Sequence, residues 1–286
     1  MSPKTWSLPF ISADGRQHRQ GWVLIVLNQP FAPALFKRIW EATHWHCFAD
    51  GASNRVYDTL SAADREAHLP DLIKGDLDSI RPEVRQWYEQ RKVDVVCDPD
   101  QDATDFMKAI ASVVALEAAS ASPDQLGIIV LGGLSGRLDQ TVHTLSYLHK
   151  LRTQRERVFV VTDDDVSWVL DSVSGTLHRS HDSKLIMTGA STFKGEHDIS
   201  VDRSLLGPTC GLLPVGVGST ILSTRGLEWN LTEKESSFDG MVSTSNWLAE
   251  DQIWIKTSEP IWWCIERKKT DMDSTPSRAY PIDNIL

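Results

Sequence analysis

The first half of the chain alternates two patterns of apolar residues. Short runs that are apolar at nearly every position are separated by segments in which apolar residues follow a helical period. The first pattern is typical of strands in a parallel sheet covered on both faces, and the second is typical of the helices that cover it. The predicted strands cover residues 22–27, a short run that ends at 49, and residues 72–74, 93–97, 126–131 and 158–161.

Helices are predicted between these strands. A helical pattern covers residues 34–42, and Pro82 suits the first turn of another helix. Strands that alternate with helices predict an α/β N-terminal domain with a mostly parallel, Rossmann-like sheet. The two clearest 3.6-residue repeats are Phe106, Ile110, Val113 and Val114, and then Leu138, Val142, Leu145 and Leu148.

The pattern changes near residue 165. Beyond it, short segments that favour β-structure are separated by Gly, Pro, Ser and Asn, at 185–188, 211–217, 219–222, 253–257 and 261–265. This spacing predicts an all-β C-terminal domain, either a sandwich or a flattened barrel. We therefore expect an α/β domain over 1–165, a β-domain over 166–268 and a polar tail over 269–286.

Composition excludes several classes of protein. The net charge is −10, whereas nucleic-acid binders carry a basic face. No apolar run approaches the roughly 20 residues that span a bilayer, and the first residues lack the apolar segment of a secretory signal. The four cysteines are far apart, which argues against zinc and fits reduced thiols. We expect a cytoplasmic protein that binds neither nucleic acid nor a membrane.

Acidic residues follow the predicted strands. Because the carboxyl ends of parallel strands lie at one edge of the sheet, where ligands bind, we expect these side chains to converge. The clusters, in chain order, are Asp50; Asp76 and Asp78; Asp98, Asp100, Asp102 and Asp105; and, in a glycine-rich stretch, Gly132, Gly133, Gly136, Arg137 and Asp139.

Converging carboxylates repel one another and require a cation, and Mg²⁺ is the natural one because it takes hard oxygen ligands shared with phosphates. The glycines let backbone N–H groups approach phosphate oxygens, and Arg137 adds a bidentate donor. A single aspartate after a strand commonly caps a helix or forms a turn, but a turn needs no repeated carboxylate on one edge. Neither GxxxxGK[ST] nor GxGxxG occurs, which excludes the P-loop and nicotinamide fingerprints.

These residues lie in stretches that resemble thiamine pyrophosphokinase of the eukaryotic type. The resemblance extends from about residue 21 to residue 267 and keeps the order and spacing of the motifs. The matching stretches are NQP at 28–30, ADGASNRVYD at 49–58, PDLIKGDLDSIRPEV at 70–84, DQDATDF at 100–106, GGLSGRLDQT at 132–141, CGLLPVG at 210–216, TRGLEWNL at 224–231 and VSTSN at 242–246.

The resemblance implies transfer of a diphosphate group from ATP to thiamine, with Mg²⁺, in a homodimer whose active sites lie at the subunit interface. It implies that Asp76, Asp78 and Asp105 bind the metal and act in catalysis together with Arg137. The ATP site is implied to contain Asp50, Asp100, Thr104, Gly133, Arg137 and Asp139. The thiamine site is implied to contain Gln101, Trp229, Ser243, Ser245 and Asn246.

Two departures from the family pattern concern glycines, since Ala52 and Ser135 stand where the family usually has glycine. Two other functions remain open on the residues alone. One is a different Mg²⁺-dependent nucleotide phosphohydrolase or transferase. The other is a catalytically silent module that binds thiamine or a nucleotide.

Overall fold

The structure is a computed structural model that describes residues 2–12, 15–120, 124–172, 177–179, 185–187 and 195–269. Most of the polar tail and position 188 of the predicted 185–188 strand lie outside these residues. The α-helices are α1 (Pro33–Glu41), α2 (Ala52–Thr59), α3 (Ala62–Ala67), α4 (Pro82–Glu89), α5 (Asp105–Ala119) and α6 (Leu138–Leu151). Two short 3-10 helices cover Pro9–Ile11 and Gly15–Gly21.

The strands of the first half are β1 (Lys4–Trp6), β2 (Trp22–Val26), β3 (Trp45–Ala49), β4 (Leu72–Gly75), β5 (Asp94–Cys97), β6 (Gly127–Leu131) and β7 (Val158–Val161). Those that follow are β8 (Asp165–Leu170), β9 (Leu177–Arg179), β10 (Leu185–Met187), β11 (Glu196–Ser200), β12 (Leu206–Leu213), β13 (Ser219–Arg225), β14 (Lys234–Ser237), β15 (Ser243–Trp247), β16 (Gln252–Thr257) and β17 (Ile261–Arg267).

The six predicted strands of the first half are confirmed as β2 to β7, with each end within one residue of its prediction. Helices α1, α4, α5 and α6 also lie where the apolar period and Pro82 place them. Helices α2 and α3 were not predicted. Helix α3 buries no side chain, so it has no apolar stripe for a pattern to reveal; it begins instead at Ser61, whose hydroxyl accepts the Asp64 N–H at 3.1 Å.

A ten-stranded sheet runs through the molecule in the order β15-β12-β17-β8-β7-β6-β2-β3-β4-β5. From β7 to β5 every neighbouring pair is parallel. The chain builds outward from β2 to β5 and then returns to place β6 on the other side of β2. The strand order therefore reverses between β2 and β6, which is where an open α/β sheet forms its ligand crevice.

The pairing changes to antiparallel between β7 and β8, close to the predicted change in pattern. Strands β8, β17, β12 and β15 extend the same sheet, and they pack through a shared core on a second, five-stranded sheet of order β1-β11-β16-β13-β14. The β-rich C-terminal part is thus two packed layers, as predicted. One layer is continuous with the parallel sheet.

The N-terminal strand β1 belongs to the second sheet, where it pairs in parallel with β11. Trp6 Nε1 donates to Nδ1 of the buried His197 at 3.0 Å, so His197 Nε2 carries the proton that it shares with the Asp171 carbonyl. Burial lowers the pKa of His197 to about 4, which keeps the ring neutral near pH 7. The division of the chain at residue 165 stays a prediction.

Across the part of the chain that the structure describes, no helix combines the length and the apolar character that a bilayer crossing requires.

Candidate active site

A cleft of about 560 Å³ opens at the reversal point of the sheet. The loops that follow β2, β3, β4, β5 and β6 all contribute to its wall, as expected for the carboxyl edge of a parallel sheet. Eight of the predicted site residues line it: Asp76, Asp78, Asp100, Gln101, Thr104, Asp105, Gly133 and Arg137.

Three carboxylates converge at this cleft, two from its lining and one buried behind it. One oxygen each from Asp50, Asp76 and Asp105 lies within 4.8 Å of the other two. Gly75, the last residue of β4, permits this approach, because a Cβ there would lie 2.5 Å from Asp50 Cβ and 2.9 Å from an Asp105 oxygen. Any larger residue at 75 would push these acids apart.

Asp50 holds the loop after β4, which carries Asp76 and Asp78. It is fully buried, and its two oxygens accept the backbone N–H groups of Ser79 at 3.1 Å and Ile80 at 3.0 Å. Burial raises the pKa of Asp50; the hydrogen bond from Ser79 opposes that rise, and the charge of Asp105 adds to it. Asp50 is therefore a positioning residue whose carboxylate also faces the cluster.

Asp105 begins helix α5, and Thr104 caps that helix by accepting the Met107 N–H at 3.4 Å. Burial and then the charge of Asp76 raise the pKa of Asp105. The Nζ of Lys108, which is 3% exposed, lies 3.7 Å from an Asp105 oxygen. One buried ammonium cannot offset three carboxylates.

The cluster suits a hard divalent cation. Its donors are carboxylate oxygens from separate loops, and two of the acids have raised pKa values that an added positive charge would lower. The predicted metal ligands Asp76 and Asp105 belong to it. Asp78 does not: it is exposed on the cleft wall, where its carboxylate accepts the Ser79 hydroxyl at 2.8 Å, and Asp50 takes the third position.

The glycine-rich loop after β6 is held by Gln29 from the loop after β2. The buried Gln29 Oε1 accepts the Gly133 N–H at 2.7 Å, the Ser135 N–H at 3.0 Å and the Ser135 hydroxyl at 2.7 Å. Gly132 and Gly133 have φ values of +92° and +101°, in the region that favours glycine. Ser135, one of the two departures from the family pattern, thus adds a third bond to this bridge.

Because the Gly133 N–H already has a partner, Gly133 shapes the loop and does not offer that group to an anion. The Gly132 N–H is also engaged, by the Val161 carbonyl at 2.9 Å. Gly136 has a φ of +78° and an exposed N–H that no described residue accepts, at the start of α6. An anion in the cleft would meet the donors from Gly136 onward, at the positive end of that helix.

Arg137 and Asp139 form an ion pair with each other. Two guanidinium nitrogens of Arg137 lie 3.1 and 2.5 Å from the two Asp139 oxygens, and both side chains are exposed. The pair raises the pKa of Arg137 and lowers that of Asp139. Arg137 lines the cleft, whereas Asp139 does not.

The loop between β5 and α5 supplies the remaining polar wall. Asp100 Oδ1 accepts the Asp102 N–H at 2.9 Å, which turns the chain so that Gln101 points outward. Gln101 lines the cleft, and its Nε2 donates to the Pro99 carbonyl at 3.3 Å.

The predicted thiamine-side residues of the C-terminal part do not line the cleft of the same chain. Trp229 is 55% exposed, and its ring centroid lies 5.8 Å from that of the half-exposed Trp247. Asn246 is 4% exposed and fixes Trp229 by accepting its N–H at 3.2 Å and donating to its carbonyl at 2.8 Å. Asn246 thereby presents Trp229 at the surface.

Ser243 and Ser245 lie on β15, a strand where the STSN sequence alone also suited a turn. Ser243 is 9% exposed, whereas Ser245 is exposed and has a φ of +56°. The pairing of β15 with β12 is irregular here, between the pairs that contain Ser243 and Asn246. Ser245 is thus exposed within this irregular stretch, next to Asn246, which holds Trp229.

Two family profiles match the chain. The profile described as "Thiamin pyrophosphokinase, catalytic domain" matches residues 36–160, and "Thiamin pyrophosphokinase, vitamin B1 binding domain" matches residues 196–262. Thiamine pyrophosphokinase 3 of Oryza sativa subsp. japonica is 33% identical over 255 residues, which cover 85% of this chain and 86% of the relative. The chain belongs to the thiamine pyrophosphokinase family.

Other family members agree with this assignment. Thiamine pyrophosphokinase 1 of Arabidopsis thaliana is 33% identical and covers 89% of this chain, with 91% of its own length covered. The crystal structure of yeast thiamin pyrophosphokinase superposes with a TM-score of 0.75 at 25% identity, over 93% of this chain and 91% of that one. The predicted fold class and family are therefore confirmed.

The structure adds three residues that the sequence reasoning missed. Gln29 bridges two loops, Lys108 lies against Asp105, and Arg55 lines the cleft. Gln29 could have been predicted as a site residue, because NQP follows the first strand of the α/β part at its carboxyl end. Lys108 could also have been predicted, since it lies one helical turn after Asp105. Arg55 belongs to α2, which was not predicted.

We expect Gln29→Ala to loosen the glycine-rich loop. The change removes the acceptor of three donors, and a lost buried hydrogen bond costs about 1–3 kcal/mol. Amide hydrogen exchange at Gly133 and Ser135 should accelerate about tenfold or more. The matched control is Gln140→Ala, an exposed glutamine on the same cleft whose side chain makes no hydrogen bond among the described residues. Unchanged exchange in Gln29→Ala would remove the bridge from the account.

Proposed function

We propose that this chain transfers a diphosphate group from ATP to the hydroxyl of thiamine, which gives thiamine diphosphate and AMP. The observation that carries the proposal is a single cleft, at the reversal point of the sheet, in which a carboxylate cluster faces a glycine-rich loop in a member of this family. The family match favours this reading over a different nucleotide phosphohydrolase and over a silent binding module.

In the proposed reaction the thiamine hydroxyl oxygen attacks the β-phosphorus of ATP. A new O–P bond forms, the bond between the β-phosphorus and the oxygen on the α-phosphorus breaks, and AMP leaves with that oxygen. The hydroxyl proton passes to a carboxylate on the cleft wall, Asp78 or Asp100. Such transfers depend on alignment and on charge stabilisation more than on covalent catalysis.

We propose that Asp76 and Asp105 bind Mg²⁺, with Asp50 beside them and Asp78 within reach from the wall. Mg²⁺, when bound, offsets phosphate charge and steadies the transferring group. The chain's own part is to hold these oxygens close together, which Gly75 and the Asp50 hydrogen bonds achieve. The start of α6 and Arg137 would bind the phosphate chain from the opposite side, with Asp139 orienting Arg137.

We further propose that thiamine is bound partly by a second copy of the chain. Trp229 is exposed, and its indole face suits a cationic thiazolium, an attraction of about 0.5–2 kcal/mol. Asn246 holds Trp229, and Ser243 and Ser245 lie on the same strand as Asn246. These three residues would hydrogen-bond the pyrimidine, with Gln101 on the cleft side. Since Trp229 does not line the cleft of its own chain, a homodimer that brings the two surfaces together would complete the site.

Asp105→Asn should abolish product formation while it preserves the fold. We expect the rate of AMP and thiamine diphosphate formation to fall at least about 100-fold, because an anionic metal ligand is replaced by a neutral amide. Without metal the thermal midpoint should be equal or higher, because the pKa of Asp105 is raised and its charge is unfavourable there. Asp94→Asn on the exposed start of β5 is the control.

The same assay separates the alternatives. AMP and thiamine diphosphate formed in equal amounts, and only when both substrates are present, support the proposal. Nucleotide breakdown at the same rate without thiamine would favour a phosphohydrolase, and binding without turnover would favour a silent module.

Mixing two inactive variants tests the interface. Asp105→Asn and Trp229→Ala would damage opposite halves of a shared site, so a mixed dimer contains one site with neither change. The assay uses a thiamine concentration at which Trp229→Ala alone shows no activity. Half of the dimers in an equal mixture are mixed, and each has one intact site of two, so the mixture should regain about a quarter of the wild-type rate. No recovery after subunit exchange, verified by mass spectrometry of the mixed dimer, would place both residues in one chain's site.

A further inference from the structure

Arg55 is an arginine of the cleft whose charge has no partner in the described part of the chain. It lies on α2 and lines the cleft, where its side chain is half-buried. Its Nε is shielded from solvent without a hydrogen-bond partner. Among the described residues, no carboxylate, carbonyl or aromatic ring pairs with its guanidinium. A shielded N–H without an acceptor is costly, and a ligand anion at the guanidinium would relieve that cost.

The other arginine of the cleft differs in this respect. Arg137 is bound through two nitrogens to Asp139, so its charge is already offset. Five carboxylates also line the cleft, at Asp76, Asp78, Asp100, Asp102 and Asp105. An entering polyphosphate therefore meets a strongly negative surface, and Arg55 supplies positive charge without first breaking an ion pair.

Helix α2 places Arg55 on the acidic side of the cleft. The helix follows β3, and Asn54 fastens it to the Asp76–Ser79 loop region by donating to the Ser79 carbonyl at 2.8 Å and accepting the Arg81 N–H at 3.0 Å. Strands β3 and β4 are neighbours, whereas the glycine-rich loop follows β6 on the other side of β2. Arg55 therefore lines the cleft from a helix that is bound to the loop carrying Asp76 and Asp78, whereas the start of α6 follows the glycine-rich loop.

We propose that Arg55 binds the β- and γ-phosphates of the nucleotide, the group that is transferred. The inference rests on the proposed function. The phosphates that share a cation with the carboxylates must lie on the acidic side, and Arg55 is on that side. The α-phosphate and the rest of the nucleotide then extend toward Gly136 and α6. Arg55 would hold the diphosphate in the substrate and in the product, and would make no contact with AMP.

Comparing ATP with AMP tests this assignment. Calorimetric titrations with Mg²⁺ present should show that Arg55→Gln raises the Kd for ATP at least about tenfold, the effect of losing one charge-assisted contact. The Kd for AMP should change by less than about twofold, since AMP lacks both phosphates. The Kd of Arg55→Lys for ATP should lie between those of the wild type and Arg55→Gln, because lysine keeps the charge but not the paired donors.

The control is Arg38→Gln on α1, which makes the same charge change. Arg38 is also partly buried, and its side chain has no ion pair among the described residues, but it does not line the cleft. It should bind ATP as the wild type does. Circular dichroism and the thermal midpoint verify folding, and Arg55→Lys carries the test if Arg55→Gln does not fold.

Two results would overturn the inference. One is an ATP Kd that Arg55→Gln leaves unchanged. The other is an equal weakening of ATP binding and AMP binding. That result would mean that Arg55 acts through its long-range charge or contacts the α-phosphate. In both cases wild-type turnover of ATP and thiamine would leave the proposed function standing. If the wild type binds no ATP, the proposed function fails, and the role of Arg55 fails with it.

Discussion

Repulsion among like charges is the constraint on which this site depends. Three carboxylate oxygens from separate loops lie within 4.8 Å of one another, and burial and neighbouring acids raise the pKa of two of these groups. At such separations repulsion amounts to several kcal/mol in a partly buried setting. The fold maintains the arrangement at this cost, which is reasonable if a cation and a polyphosphate occupy the cleft during function.

The surrounding structure holds this arrangement in place. Asp50 fastens the loop after β4 through two backbone hydrogen bonds, and Gly75 leaves room for the acids to approach. On the other side of the crevice, Gln29 fastens the glycine-rich loop through three bonds. The Asp50 bridge joins loops at the ends of the neighbouring strands β3 and β4. The Gln29 bridge joins the loops after β2 and β6, which are about a hundred residues apart and become adjacent because β6 pairs with β2.

Much of the α/β part was predictable, because a short continuous apolar run between helical patterns is typical of a strand that is covered on both faces. The position of the acids after those strands was enough to predict the edge on which they meet. Sequence order could not show that Asp50, and not Asp78, joins Asp76 and Asp105. That choice depends on side-chain direction within the loop, where Asp78 turns toward the Ser79 hydroxyl.

Other features depend on partners that are remote in the sequence. The short polar helix α2 carries Arg55, and no apolar period revealed it. Strand β1 pairs with β11, far along the chain, so local propensity could not assign it. The pairing of Arg137 with Asp139 is local in sequence, yet only the geometry shows that it engages the arginine expected at the anion.

The most direct test of the central claim is a crystal structure with Mn²⁺ in place of Mg²⁺ and with α,β-methylene ATP, in which the bond to be broken resists cleavage. We predict an anomalous peak that contacts the carboxylates of Asp76 and Asp105 and also the phosphates, in the cleft at the carboxyl edge of the parallel sheet. A bound nucleotide with no metal at these carboxylates, or a metal bound elsewhere with the phosphates beside it, would contradict the account.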